Sequence, residues 1–529
     1  MIRYFRFLSI IVTLLIVVSC GTSKKSVNES QIRSPKYEFR GAWIQTVFQS
    51  RYQQMNSAAM KHYLTEMVAK LDAAGINAVI FQIRPEADAF YKSNLEPWSR
   101  YMTGQQGLAP DDNSFDPLSH IIEECHKRGM ELHAWLNPYR AKASAASQLS
   151  PDHIYWKHPE RFVQYGNQLY FDPGLPENRG FICDVVHDIV SRYDVDAIHM
   201  DDYFYPYPIA GEPFPDDNSF NRYATAQGFD YNQRNDWRRN NVNMLIQELK
   251  YTIASVKPWV RFGISPFGIY RNKRNHPEGS DTNGLQNYDD LFADVKLWVQ
   301  KGWIDYNMPQ IYWENGHASA DYTTLLHWWH DNNFKQPLYI GQDIKRSTDK
   351  NELEVKIMQS RQLPYVHGNS YWYGYQILEN AENSANILKS DIHRNKALIP
   401  AYKHMHNGRP TKVKNLNQVF TEDMHFLTWD KPKQSENPES AQMYVIYRFR
   451  KGVNVNINRA ENILAVTNDN FYVLPYEGGN NRYTYVVTAL DAFKNESKIT
   501  KVRVKIYQCV YCLVSTCFLN IFQRKSLSL

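Results

Sequence analysis

Cysteine is scarce in this chain. Six occur in 529 residues, and three of them, Cys509, Cys512 and Cys517, crowd into a hydrophobic tail. Cys125 and Cys183 lie far apart in sequence, in stretches of helical pattern, and a disulfide between them cannot be deduced. The lone C-x-x-C of the tail lacks a second ligand pair, so it is weak ground for zinc. Charge of one sign is also in short supply. Sixty basic against 55 acidic residues leave a formal net charge of only +5, and no basic stripe interleaves with aromatics, which argues against a nucleic-acid partner. There is no P-loop and no G-x-S-x-G nucleophile elbow.

Long apolar runs are few, and the first is informative. Arg3 and Arg6 precede "FLSIIVTLLIVVSC", which is too short to span a bilayer comfortably and reads as the core of an export signal. It ends in Val17-Val18-Ser19-Cys20-Gly21, which resembles a bacterial lipobox. That resemblance implies residues 1–20 as a lipoprotein signal peptide, Cys20 as the lipidated residue, and a membrane partner. Gly21 and the absence of an acidic run favour an outer-membrane anchor facing the periplasm, with cell-surface display as the alternative. Residues 21–36 are polar and read as a tether.

What the chain has in plenty is aromatic side chains: 36 Tyr, 25 Phe and 13 Trp. They suit either a large core or a wall on which sugar rings stack. From 37 to 400, short apolar runs such as "NAVIFQIRP", "MELHAWLNP" and "VDAIHMDD" alternate with stretches of helical period. Two of the helical stretches end at Gly75 and Gly129, where a glycine C-cap belongs. The pattern predicts a (β/α)8 barrel with enlarged loops over 37–400. A doubly wound sheet would carry a Gly-rich phosphate turn after its first strand, and none follows "GAWIQTV". Residues 401–411 read as a linker. The short alternating strands of 412–505, with Trp429, Tyr444, Tyr447 and "YTYVVTALDAFKNES", resemble a fibronectin type III sandwich, a module that can hold a protein partner. The status of the tail 506–529 is left open.

Barrel chemistry gathers where strands end. In "DVDAIHMDDYFYPYP", Ile198 and Met200 suit the outer face, which turns His199 and Asp201 inward and opens the loop with Asp202. The same parity collects Gln82, Arg84 and Glu86 on one strand, followed by Asp88. It collects His133, Trp135, Asn137 and Tyr139 on another, and Gln310, Tyr312 and Glu314 on a third. Converging carboxylates, amides, an arginine and rings suit glycoside hydrolysis, with Arg84, the amides Asn137 and Gln310, Asp88 and His199 expected to bind the substrate. Asp201 is expected as nucleophile or base and Asp202 in a supporting role. Glu314 is the first candidate proton donor, with Asp88 and Asp343 behind it. Trp135, Tyr139, Tyr312 and Trp313 are expected to stack on sugars. A metal-dependent deacetylase would need a histidine pair, but His153 and His158 are spaced differently, so neither metal nor other cofactor is implied.

Over 37–400, "EFRGAWIQTV", "GINAVIFQIRPEADAFYKSNLEPWS", "FDPLSHIIEECHKRGMELHAWLNPYR", "YFDPGLPENRGFICDVV…AIHMDDYFYP" and "IDYNMPQIYW" resemble the bacterial glycosyl-hydrolase-like family ten. The resemblance implies a TIM barrel related to glycoside hydrolases and a glycan substrate, with peptidoglycan strands foremost. It marks Asp201-Asp202 and Arg84, Pro85 and Asp88 as signature residues. Asn137, Tyr139, Asp172, Gln310 and Tyr312 also fall on motif positions. Asp172, in "YFDPG", reads either as a turn residue or as a ligand for a sugar hydroxyl. The competing functional readings are a non-catalytic glycan-binding lipoprotein and a surface scaffold.

Overall fold

The computed structural model describes residues 34–421, 424–432, 437–475 and 482–505. The stretches read from sequence as a signal peptide with Cys20 and as a tether, up to residue 33, and the tail from 506 lie outside the described residues.

Eight parallel strands close into a barrel. They are β1 (Phe39–Ile44), β2 (Ala78–Arg84), β3 (Glu131–Leu136), β4 (Ala197–Met200), β5 (Arg261–Ile264), β6 (Tyr306–Asn307), β7 (Leu338–Asp343) and β8 (Val366–Trp372). Each pairs with its sequence neighbours, and β8 returns to β1. The first intervening helices are α1 (Ser57–Ala73), α2 (Pro117–Lys127), α3 (Pro176–Arg192) and α4 (Arg234–Val256). Local chemistry sets their ends. Asn56 and Asp116 accept N-terminal amides of α1 and α2, and Pro117 fills the first turn of α2. Gly75 and Gly129 follow with φ of 79° and 69°, the left-handed backbone expected of them.

One strand is much shorter than its sequence suggests. Within "IDYNMPQIYW" only Tyr306 and Asn307 form a ladder, after which Pro309 has no N–H to give. The sheet continues there as isolated bridges from Gln310 to Phe267 and to Gly341.

Side-chain alternation divides the barrel into two cores. Ile198, Met200, Leu132, Phe81 and Ile264 face outward into the layer packed against the helices. Phe39, Trp43, Ile80, Trp135, Tyr306 and Tyr339 fill the interior. An excursion after β3 forms a three-stranded antiparallel sheet beside the mouth from Arg140–Lys142, Phe162–Tyr165 and Gln168–Phe171.

The C-terminal region forms two antiparallel sheets. One contains β9 (Asn417–Phe420), β10 (His425–Thr428) and β13 (Phe471–Val473). The other contains β11 (Met443–Arg450), β12 (Ile463–Thr467), β14 (Arg482–Leu490) and β15 (Thr500–Lys505). Leu427, Trp429, Tyr444 and Tyr485 pack between them.

The stretch read as a linker does not hang free. Tyr402 is buried under the barrel, with its hydroxyl 2.7 Å from that of Tyr339 and its ring 4.4 Å from the Arg261 guanidinium. Leu398 packs into the sandwich beside Val445 and Tyr447. Lys494, from the loop after β14, reaches Glu131 (3.0 Å) and Asp196 (3.5 Å) at the base of the barrel. The two domains are thus joined through buried charge and apolar contact at the face opposite the mouth.

Candidate active site

A cavity of about 420 Å³ opens at the C-terminal mouth of the barrel. Asp201 and Asp202 lie on its floor, at the end of β4, and are the carboxylates that line it among the described residues. Its walls are largely aromatic. Trp43 comes from β1, Trp135 from β3 and Trp372 from β8. Tyr203 and Tyr207 follow the Asp pair as stacked rings with centroids 5.3 Å apart, and Trp313 sits edge-on to Phe267. Gln82 ties the β1 loop to this mouth by accepting the amides of Thr46 and Val47 at 3.0 and 2.9 Å. Phe48 lines the cavity at its rim, 63% exposed, with Tyr101 edge-on to its ring at 6.1 Å between centroids.

Asp201 is held from three sides. Trp135 Nε1 donates to it at 3.2 Å, Tyr203 N at 3.4 Å and Asn137 Nδ2 at 3.5 Å. Burial, with Asp202 beside it, pushes its carboxyl up to about 7, against the pull of Arg140. Burial raises Asp202 too, while the hydroxyl of Tyr207 donates to it and Gln310 supports its charged form. Arg140 is aimed by Asn137 Oδ1, which accepts its amide at 2.9 Å, and its guanidinium lies 5.5 Å from the Tyr203 ring centre. Gln310 also donates to the carbonyl of Ser265 at 2.8 Å.

Of the residues singled out from sequence, Gln82, Trp135, Asp201, Asp202, Gln310, Tyr312 and Trp313 converge on the cavity. The others do not line it, each for a physical reason. Arg84 is fully buried and spends its guanidinium on Glu96 and on the carbonyls of Asn137 and Pro138. Asp88 is sealed in the β2 loop, where Gln106 donates to it at 3.1 Å. Asn137 acts behind the floor, on Asp201 and Arg140. Tyr139 sits in the outer core. Asp172 accepts Gly174 N at 2.8 Å and orders the turn that leads into α3, as its turn reading expects. His199 points inward as parity requires, but one layer below the floor, in contact with Tyr306 and Ser265.

Glu314 is the main correction. The break at Pro309 ends the strand alternation that had aimed it inward, and its carboxylate pairs instead with Arg346 at 3.2 Å. Its own backbone amide and Arg346 hold it below the ordinary range, the reverse of what a proton donor needs. Asp343, the reserve candidate, caps the helix that follows β7 by accepting Arg346 N at 2.9 Å.

Sequence reasoning missed Trp43, Gln45, Val47, Phe48, Arg140, Tyr203, Tyr207, Ser265, Phe267 and Trp372. Extending the parity test to β1, β5 and β8 finds Trp43, Ser265 and Trp372, which share the inward parity of Phe39, Gly263 and Ser370. Among the described residues, no three His, Cys, Asp or Glu side chains gather as a metal site would require.

The family model described as "Glycosyl hydrolase-like 10" matches residues 38–359. "Glycosyl hydrolase YngK" of Bacillus subtilis is 39% identical over 514 residues, covering 93% of this chain and 98% of the relative. "Glycosyl hydrolase DigH" of Escherichia coli K12 is 36% identical over 364 residues, covering 65% of this chain and 80% of the relative. Among solved structures, the glycoside hydrolase domain of PgaB (BpsB) from Bordetella bronchiseptica aligns with 67% of this chain and 98% of its own, at 11% identity and a TM-score of 0.45. By the extent of the family match and the near end-to-end similarity to its Bacillus relative, the chain belongs to the glycosyl hydrolase-like 10 family.

Proposed function

We propose that this protein hydrolyses glycosidic bonds in a glycan polymer, and that the polymer is the glycan strand of peptidoglycan. Membership of a glycosyl-hydrolase-like family supports the glycan-acting part. The observation that carries the reading is the Asp201–Asp202 pair on the floor of an aromatic-walled cleft at the barrel mouth. Flat rings on the walls suit pyranose faces, and the two acids suit cleavage.

Burial raises both carboxyls, Asp201 to about 7, so Asp201 can carry a proton near neutral pH and give it to the leaving oxygen, while the Tyr207 hydroxyl supports the charged form of Asp202. No third carboxylate lines the cavity among the described residues. On a 2-acetamido sugar the acetamido oxygen then serves as nucleophile, as in substrate-assisted glycosidases. It attacks the anomeric carbon as the glycosidic bond breaks, and the leaving oxygen takes the carboxyl's proton. Water then opens the cyclic intermediate and returns the proton, so the net change is one water added with retained configuration. Peptidoglycan strands offer an acetamido group on every sugar. The lipobox-like sequence at Cys20 supports delivery to the periplasm on a lipid anchor.

The test is incubation of the purified chain with peptide-bearing and peptide-stripped cell-wall glycan, beside plant and host glycans, with mass analysis of the products. Cell-wall glycan should be cut with one water gained per break. Asp201→Asn should slow the cut by about a thousandfold. A folded Asp201→Asn protein with unchanged rate, or a wild-type chain that binds glycan and never cuts it, overturns the proposal.

A further inference from the structure

Beneath the floor of the cleft, a line of hydrogen bonds runs through the barrel to its base. Trp43 Nε1 donates to His199 Nε2 at 3.2 Å. His199 Nδ1 lies 3.0 Å from the Tyr306 hydroxyl, and that hydroxyl lies 2.8 Å from His133 Nδ1. His133 Nε2 meets Glu131 Oε2 at 2.9 Å. All five residues are buried. The line has room because position 263 is glycine: a side-chain carbon there would collide with the Tyr306 ring.

Both ends of this line have fixed polarity. An indole N–H only donates, and a carboxylate only accepts. Glu131 keeps its charge because Arg261 lies 2.7 Å and Lys494 3.0 Å from Oε1. Starting at Trp43, His199 Nε2 must accept, so its proton sits on Nδ1 and goes to the Tyr306 oxygen. Tyr306 then gives its own hydrogen to His133 Nδ1, and His133 donates from Nε2 to Glu131. Starting at Glu131 gives the same assignment. The reverse order would set two N–H groups against each other at Trp43 and a bare ring nitrogen against the carboxylate at Glu131.

This direction matters because Ser265 Oγ lies 2.9 Å from the same His199 Nε2 and lines the cavity. With Nε2 unprotonated, the serine hydroxyl turns its hydrogen down to the imidazole and leaves lone pairs facing the cleft. With the reverse tautomer, Ser265 would accept from His199 and present its hydrogen instead. The polarity of this point on the floor is therefore set by the Trp43 indole, and the carboxylate at the opposite end of the barrel enforces the same order from below.

We propose that Ser265 is a specificity-determining hydrogen-bond acceptor for a hydroxyl or amide N–H of the bound sugar, and that Trp43 at the upper end of the line and Glu131 at the lower end, braced by Lys494 of the C-terminal domain, are the positioning residues that hold its polarity. The proposal rests on the reading of the cleft as a glycan site, but its proton arrangement is testable without substrate. In the full chain labelled with ¹⁵N at histidine, His199 should show a protonated Nδ1 and an unprotonated Nε2, and His133 the opposite. Ser265→Ala, which perturbs only the His199 signal, and Glu131→Gln, which perturbs His133 first, assign the two. Because a glutamine amide can donate as well as accept, Glu131→Gln should yield mixed tautomers at His133, while the Trp43 indole still holds Nε2 of His199 unprotonated. Should that variant fail to fold, the wild-type spectrum still decides: a proton on His199 Nε2 overturns the proposal. With cleaved glycan as readout, Ser265→Ala should raise KM by about fivefold, more than it lowers kcat, and Ser265→Thr should restore it. An unchanged KM for Ser265→Ala overturns the specificity role even if the tautomers are as stated. If no glycan is cleaved by the wild-type chain, the hydrolase reading fails, while the histidine spectra still judge the relay.

Discussion

Arg84 belongs to a family signature, yet its surroundings point to a structural role, and the two can be separated by substitution. Its Nε lies 2.8 Å from Glu96 Oε2 and its NH2 2.6 Å from Oε1, with side chains 0% and 1% exposed. The remaining nitrogen serves the carbonyls of Asn137 and Pro138, which start the loop that carries Arg140 to the cavity. Arg84→Met would strand Glu96 without a counter-charge. Breaking a buried pair from one side costs about 3–5 kcal/mol, and leaving carbonyls unpaired adds about 1 kcal/mol each. That approaches the whole stability of many domains, about 5–15 kcal/mol. The single variant should therefore unfold at much lower urea than the parent, followed by tryptophan fluorescence and far-ultraviolet circular dichroism. Arg84→Met combined with Glu96→Leu should recover most of the loss, since no charge is then buried alone. An Arg84→Met protein with the parent's urea midpoint and a raised KM would refute this reasoning and return Arg84 to the substrate.

Three further outcomes follow from the site. Asp201 has its carboxyl raised by burial and Asp202 to about 7, above the roughly 4 of an unfolded chain, so the folded state holds that proton more tightly. Its ionisation thus costs stability, a cost absent below about pH 4 and complete above about pH 7; Asp201→Asn should exceed the parent's stability at pH 8 and match it at pH 4, with an equal gain at both pH values counting against the argument. Tyr207→Phe removes the hydroxyl that donates to Asp202, so the acid limb of kcat/KM should move up by about one pH unit, and an unmoved limb would detach Asp202 from the chemistry. Glu314→Gln, outside the cavity and paired with Arg346, should stay within about twofold of parental activity; a loss of a hundredfold or more would reinstate it as an acid.

The fold was legible because its signals are long. Strand runs of six or seven residues such as β2 and β3, and helices ended by Gly75 and Gly129, repeat with little ambiguity. The site was legible only where a strand stays regular up to its end. At β4 the parity of Ile198 and Met200 placed Asp201 on the inner side. Parity says which way a side chain points and not at what depth, so His199 was aimed correctly and placed one layer too high. In β2 the register shifts between Gln82 and Arg84, and the partner of Arg84 comes from an irregular loop twelve residues later, which no period reveals. At Glu314 the alternation was carried past Pro309, where the ladder had already stopped. Tyr203 and Tyr207 follow the Asp pair in a loop, and loop side chains follow no repeat.

The placement of the C-terminal sheets gives the barrel a direction. Lys36 and Tyr37 meet Glu496 at 2.6 and 2.8 Å, so the chain enters β1 beside the sandwich, at the base and away from the mouth. A chain extends at most about 3.6 Å per residue, so the stretch between Cys20 and Ser34 can reach roughly 50 Å. On the lipid-anchored reading, the base and its docked domain stay near the membrane while the cleft opens toward whatever lies beyond that reach. The buried contacts of Leu398, Tyr402 and Lys494 hold the barrel and the sandwich together at the base. A sandwich acting as a loose spacer would need none of these contacts. Their burial is the physical reason to treat the second domain as part of the barrel's frame, and its Lys494 as a brace on the line that ends under the floor of the cleft.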